Sequence, residues 1–310
     1  MSEYHNPALL NESIPALITN TSGPYADATF GGGGHSSEIL RRLGPDGRLI
    51  AFDRDEDALE NAIDDKRFSL IHNNFRFIHN YALLEGASSD GNFSGFDGIL
   101  ADLGVSSHQF DTAERGFSFR FEAPLDMRMN NAAGKTAADV VNGYEEKDLE
   151  KIFSLYGEIP NSGKLARLII AGRQKGHLET TQALNEAIAS ILPPFAEHKF
   201  LAKVYQALRI EVNEEMRSLE KFLYGAAASL REGGRLVIIT YHSLEDRMVK
   251  NFIKAGNIEG EIKTDVFGNR NVPLTAVNRK PTLPEESEIA GNTRARSAKL
   301  RIAEKVYEKC

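Results

Sequence analysis

Apolar positions along the chain alternate between two rhythms, and their order predicts a sheet covered by helices. Tyr25 to Phe30 is a short strand-like run that ends in glycines. From His35 to Leu43, the apolar residues Ile39, Leu40 and Leu43 share one helical face. Arg48–Phe52 predicts the next strand, closed by Asp53, and Ala58, Leu59, Ala62 and Ile63 predict another helix. Phe96–Asp102 has the character of a buried strand. Strands alternating with helices predict a parallel sheet covered on both faces.

The rhythm changes after Asp102. Gly104 to Met129 is loop-like, rich in glycine, phenylalanine and charge. Helical spacing then dominates, through Leu149–Tyr156, Leu165–Ile169 and Leu184–Ile191, until Pro193-Pro194 stops the last run. A long amphipathic helix is predicted from Lys199 to Leu223. Gly233-Gly234 precedes a strongly β-forming run, Arg235–Thr240, and Ser297–Val306 predicts one more strand. Lys280–Asn292, with Pro281 and Pro284, predicts an exposed loop. The expected architecture is a doubly wound α/β sheet built from residues 1–109 and 216–310, interrupted by a helical domain over residues 110–215.

Composition narrows the class. The 310 residues are 41% hydrophobic and 26% charged, as in a soluble globular protein, and no apolar run approaches a membrane span. The Met1–Asn6 start lacks the basic and apolar pattern of a secretory signal. The single cysteine, Cys310, excludes an internal disulfide and a cysteine-rich zinc site, and no metal-ligand cluster is evident. A cytoplasmic protein is expected. The net charge of −7 argues against a surface that grips nucleic acid everywhere, but it allows a basic groove. Basic residues gather at Arg294, Arg296, Lys299 and Arg301, and at Arg247 and Lys250. Solvated surface is the plainer reading of such clusters.

The candidate chemistry lies at predicted strand ends. Gly31–Gly34 sits between a strand and a helix, where backbone can turn sharply and a ligand can approach closely. Asp53 follows Gly31 by 22 residues, a spacing that suits a carboxylate accepting from ribose hydroxyls. Nicotinamide, flavin and S-adenosylmethionine enzymes all use this device. His35 is either part of this site or a cap of the helix. Asp102, followed by Leu103, Gly104, Val105, Ser106 and Ser107, is poorly explained by packing and suits a cofactor amine or a substrate. Asp27 is a weaker candidate that needs buried partners.

Longer motifs then carry a resemblance. They are Leu9–Glu12, Asp27–His35, Ala51–Asp55, Asp97–Ser107, Ala113–Phe119, Pro124–Met129, Gln206–Asn213, Tyr241–Arg247 and Arg294–Arg301. In this order they resemble, almost end to end, the bacterial ribosomal RNA small subunit methyltransferase H family, the cytidine N(4)-methyltransferases of 16S rRNA. The resemblance implies a Rossmann-like methyltransferase sheet with a helical insertion and S-adenosylmethionine as methyl donor. It implies a cytidine in the decoding region of 16S rRNA, within the small ribosomal subunit, as substrate. Carried over by motif, the cofactor contacts are Gly33, Gly34, His35, Asp53, Phe75, Asp102 and Gln109, with Phe75 open to a core-packing role instead. Two positions depart from the family pattern: Gly32, where arginine is frequent, and Thr293, where proline is frequent.

Methyl transfer requires alignment of donor and acceptor and a nucleophilic amine. Many amino-methyltransferases use an Asp/Asn-Pro-Pro-aromatic tetrapeptide, and Asp102-Leu103-Gly104-Val105 stands in its place. Asp102 or a nearby backbone carbonyl is expected to accept from the target amine, which makes Asp102 the catalytic candidate. The base must leave its stack, and Phe117 or Phe119 either receives it or packs in the core. His242 and Ser243 either line the cytidine pocket or begin a helix capped by Ser243. Arg209 and Asn213 share a helical face and are expected to tie the insertion to the sheet. Arg115, Arg128, Arg294 and Arg296, in predicted loops, are the RNA candidates. A nicotinamide-dependent oxidoreductase explains the glycines and Asp53 but not the basic C-terminal segment. A non-catalytic assembly factor leaves both intact acids without a purpose. The oligomeric state is open, a homodimer included.

Overall fold

The computed structural model describes residues 7–88, 93–264, 268, 270 and 272–306; Met1–Asn6 and Cys310 lie outside the described residues. The chain forms two units, residues 1–104 with 216–310, and residues 105–215. The first break thus falls at Gly104/Val105, before Gln109 rather than after it.

In the first unit, helix α1 (Leu10–Leu17) leads to β1 (Pro24–Asp27), α2 (Gly34–Arg42), β2 (Arg48–Asp53), β3 (Phe68–His72), α3 (Ile78–Ser88) and β4 (Phe96–Asp102). The second unit holds α4 (Ser107–Asp111), α5 (Ala137–Gly143), α6 (Glu146–Leu155), α7 (Ser162–Arg173), α8 (Thr181–Ile188) and α9 (Glu197–Val212). The first unit resumes at Met216, within α10 (Glu215–Ser229), and continues through β5 (Leu230–Thr240), α11 (Ser243–Ala255), β6 (Leu274–Ala276), α12 (Glu286–Gly291) and β7 (Lys299–Lys305). Among the described residues, no helix is long and apolar enough to cross a membrane.

The strands form one sheet in the order β3-β2-β1-β4-β5-β7-β6. β1 to β5 run parallel and β7 runs antiparallel to both of its neighbours. Alternation of side chains assigns the two faces. Ile99, Ala101, Leu236 and Ile238 pack with Ile78 of α3, Phe222 of α10 and Phe252 of α11. Their neighbours Leu100, Val237 and Ile239 pack on the opposite face with Ile14 and Leu17 of α1 and with Ile39 and Leu40 of α2. Both faces are therefore dry, which explains the near-continuous apolar runs of β4 and β5. This is the doubly wound α/β sheet expected from the sequence. Its winding reverses between β1 and β4, and crevices at such switch points receive ligands.

The second unit is helical around its own core, which includes Phe117, Leu125, Val140, Leu149, Phe153, Leu165, Leu184 and Leu208. Phe117 is buried there and Phe119 packs edge-on against Tyr205, so both serve as core side chains.

Several expectations need correction. The helix expected around Ala58–Ile63 is a short 3₁₀ turn, Glu56–Asn61, capped by Asp55, and Ala58 is its buried residue. The long helix expected over Lys199–Leu223 is two helices, α9 and α10, parted at Asn213 and Glu214. Glu214 adopts φ +48°, and the Asn213 side chain leaves the helix pattern to bond Met129 N, Met127 O and Arg209 O. Asn213 thus organises the helical unit from within, and Arg209 pairs with Glu215 in that same unit. Gly233-Gly234 lies inside β5 rather than before it, where the register against β4 shifts between Phe96 and Gly98. Helix α12 lies within the expected loop Lys280–Asn292. β3, α3 and β6 were not anticipated.

Candidate functional site

Three acids stand at or near the carboxyl ends of three adjacent strands, Asp53 on β2, Asp27 on β1 and Asp102 on β4. The turn after β1 holds them together. The Gly31 amide donates to Asp53 Oδ2 at 2.7 Å, and the Asp55 amide donates to Asp53 Oδ1 at 2.9 Å. Thr29 lies 2.7 Å, through its hydroxyl, from the amide of Asp102, which donates to it. Asp27 accepts from the Thr29 amide at 3.0 Å and the Ser36 hydroxyl at 2.6 Å. The glycine turn, Asp53 and Asp102 therefore share one corner of the first unit.

Gly33 precedes α2 with φ +76°, a conformation that carries the chain from the strand end into the helix without a Cβ clash. Gly34 opens α2. His35 does not cap the helix: its ring is buried, with Nε2 3.3 Å from the Ala8 carbonyl and Nδ1 3.8 Å from Asp102 Oδ2. Burial depresses its pKa to about 4, so the ring is neutral.

The electrostatics follow from desolvation. Burial raises Asp27 to about 6, against the pull of its Ser36 and Thr29 hydrogen bonds, with a further push from the charge of Asp53. Burial also raises Asp53, although the amides of Asp55 and Gly31 oppose the rise. Asp102 rises to about 7, chiefly by burial, while a hydrogen bond from Tyr241 opposes the rise and the charges of Asp27 and Glu245 add to it. Its side chain still keeps 21% of its surface open to solvent. A corner with three acids in short supply of solvent favours a ligand that brings positive charge.

The remaining candidates distribute differently. Phe75 lies in a 3₁₀ turn after β3, and its ring packs edge-to-face on Phe222 at 5.2 Å, a core contact. Gln109 belongs to the second unit, where its Oε1 accepts from the Ser106 amide in a capping box at the start of α4. Arg115 is only 7% exposed. Its guanidinium donates to the carbonyls of Arg128 and Met129, so it braces a loop rather than facing RNA. Arg128 forms a two-pronged pair with Asp126. The helix expected to be capped by Ser243 is capped by His242, whose Nδ1 accepts from the Glu245 amide, and Ser243 is its first residue. Arg294 and Arg296 lie in the 3₁₀ turn Thr293–Ser297, Arg294 half-buried and Arg296 exposed.

Sequence reasoning missed Tyr241, whose hydroxyl donates to Asp102 Oδ1 at 2.7 Å. One sequence signal pointed to it, since Tyr241 directly follows the β5 run; the pairing of Asp102 with Ile239 that brings it to the acid shows only in the folded sheet. It also missed Gly104, with φ +107°, where an added Cβ would stand 3.4 Å from the Tyr241 ring.

The sequence profile of the MraW methylase family matches residues 2–306. The chain is 55% identical, over 97% of its own length and 97% of the relative's, to the ribosomal RNA small subunit methyltransferase H of Bacteroides fragilis (strain YCH46). It is 53% identical to the protein of that name from Flavobacterium johnsoniae, over 98% of each chain. Among solved structures, an rRNA methylase from Streptococcus thermophilus overlaps 96% of this chain and 92% of its own at 12% identity, with a TM-score of 0.40. TrmN from Thermus thermophilus overlaps 96% of this chain and 48% of its own at 13% identity, with a TM-score of 0.42.

Proposed function

The chain belongs to the MraW methylase family, and from that premise we propose that it transfers a methyl group from S-adenosylmethionine to the exocyclic N(4) amine of a cytidine in the decoding region of 16S rRNA. The reaction is cytoplasmic and its substrate is the RNA of the small ribosomal subunit. The observation that carries this reading is the corner where Gly31, Asp53, Asp27 and Asp102 meet.

The corner fits the donor. A carboxylate offers about four acceptor positions, and two on Asp53 are taken by the Gly31 and Asp55 amides. The remaining two suit a pair of ribose hydroxyls. Gly33 and Gly34 let the turn pack closely, since an added Cβ would stand 3.0 Å from the Phe30 ring or 2.6 Å from Pro7, and His35 and Asp102 present acceptors toward an ammonium or amine. When bound, S-adenosylmethionine supplies an electrophilic methyl on a sulfonium.

The chain's own contribution is alignment and a proton acceptor. The target amine is a poor nucleophile because its lone pair is shared with the cytosine ring. Asp102 Oδ2 accepts one of its N–H groups, concentrates the lone pair on nitrogen and receives the proton as the new bond forms. A carboxyl with a pKa of about 7 is matched to that task near neutral pH. Arg296 is the exposed basic residue proposed to meet RNA phosphate.

The test is methylation of small subunits and of free 16S rRNA by the purified protein, with the product nucleoside identified by mass spectrometry. N(4)-methylated cytidine is the expected product. A folded protein that ignores S-adenosylmethionine in calorimetry would end this reading, and methylation of another atom would end its cytidine part.

A further inference from the structure

The two oxygens of Asp102 have different surroundings. Oδ1 accepts from the Tyr241 hydroxyl at 2.7 Å. Oδ2 lies 3.8 Å from His35 Nδ1. The carbonyl of Ala8 can only accept, so His35 Nε2 carries the ring hydrogen and the neutral Nδ1 is a bare acceptor. Two acceptors face each other there, and the group that suits the gap is an N–H donor from outside the chain.

Tyr241 is itself held in place. Its amide donates to Glu245 Oε2 at 2.9 Å. Its ring packs against the core on the α1 and α2 side of the sheet. Gly104 supplies the φ of +107° that the chain needs after β4, and the bond from Leu103 N to Ile239 O, at 3.0 Å, fixes the preceding segment.

We propose that Tyr241 is a positioning residue for methyl transfer: its hydroxyl fixes the Asp102 carboxyl so that Oδ2, beside His35 Nδ1, is the oxygen offered to the amine. This rests on the function proposed above. The groups that face Asp102 are Asp27 from β1, His35 from α2, Glu245 from α11 and Tyr241 at the end of β5. Asp27 and Glu245 oppose its ionisation by their charge, burial opposes it further, and the Tyr241 hydrogen bond favours it. Loss of the hydroxyl therefore moves the ionisation of Asp102 to higher pH.

The experiment has two readouts on the full-length protein. In the ligand-free state, the Asp102 carboxyl is titrated by carbon NMR with labelled aspartate, and Asp102→Asn identifies its signal. Tyr241→Phe raises the midpoint, and the acid limb of the methylation rate moves in the same direction. A midpoint higher by about one on the pH scale lowers the rate near pH 6.5 by about tenfold. The gap narrows toward pH 9. If Tyr241→Phe does not fold, 3-fluorotyrosine placed at position 241 keeps the ring, strengthens the bond through a more acidic phenol, and moves both readouts to lower pH. Midpoints that stay in place, or a rate loss equal at every pH, overturn the role of Tyr241. A protein with altered midpoints that methylates no RNA overturns the proposed function instead.

Discussion

The Gly31 amide and Asp53 Oδ2 are 2.7 Å apart, so the turn after β1 and the acid at the end of β2 form one corner. The acid both shapes the turn and keeps acceptor capacity for a ligand. Asp53→Ala removes both functions, and affinity for S-adenosylmethionine falls by about 10- to 100-fold, as expected for hydrogen bonds to a charged group. Isothermal calorimetry checks this, and an unchanged affinity would remove Asp53 from the site.

Asp102→Asn keeps the shape of the side chain but takes away the proton acceptor. The rate at saturating cofactor falls by about 100-fold or more. Single-turnover methylation with separate cofactor titration distinguishes the roles. If affinity falls while the saturated rate holds, Asp102 binds cofactor and takes no proton.

Asp27 makes the fold sensitive to pH. Its folded pKa of about 6 lies above the ordinary 3.8, so the native state holds the proton more tightly than the unfolded chain. The stability this contributes is complete below about pH 4 and is lost as pH rises through about 6. In Asp27→Asn, the amide oxygen still accepts from Thr29 and the amide nitrogen donates to the Ser36 hydroxyl. That variant gains relative to the parent between those limits, by about 3 kcal/mol at neutral pH. Urea unfolding at pH 4.5 and pH 7 measures the difference, and an equal effect at both would refute the assignment.

Asn213→Ala tests the junction of α9 and α10. It removes the Asn213 bonds to the Met129 amide and the Met127 carbonyl in a buried setting. The helical unit loses about 2–4 kcal/mol. Limited proteolysis within residues 105–215 should accelerate correspondingly.

Arg115 and Arg296 should fail in opposite ways. Arg115→Ala lowers thermal stability because its guanidinium braces two carbonyls. Arg296→Ala leaves the melting temperature near that of the parent and reduces the salt slope of RNA binding by about 1. Binding measured across a salt series, beside a melt of each variant, separates the two.

The sheet was legible because β4 and β5 are buried on both faces, which leaves long apolar runs in the sequence. β3 was not, since Phe68–His72 is an edge strand whose exposure pattern has no clean alternation. The break at Asn213 was hidden because its cause is a hydrogen-bonded loop 84 residues away, while the apolar spacing continues through it. Asp53 and Asp102 were legible as acids at strand ends. Tyr241 was not, because its partnership with Asp102 spans 139 residues and depends on strand register. Arg115 misled for a related reason: a loop position suggests exposure, but this loop folds around its guanidinium.

The sheet's two outermost pairings on the β5 side are made by strands late in the chain. β7 lies between β5 and β6, and the Leu9 amide bonds Glu288 Oε1 at 2.6 Å across a separation of 279 residues. During synthesis the helical unit is contiguous and emerges whole, whereas the α/β unit must hold its first strands open until β5 and β7 have been made. Translation halted before those strands would thus yield helices able to settle while the acid corner lacked Tyr241's half of the sheet or its closing strand, and long-range pairing of this kind is slow to form.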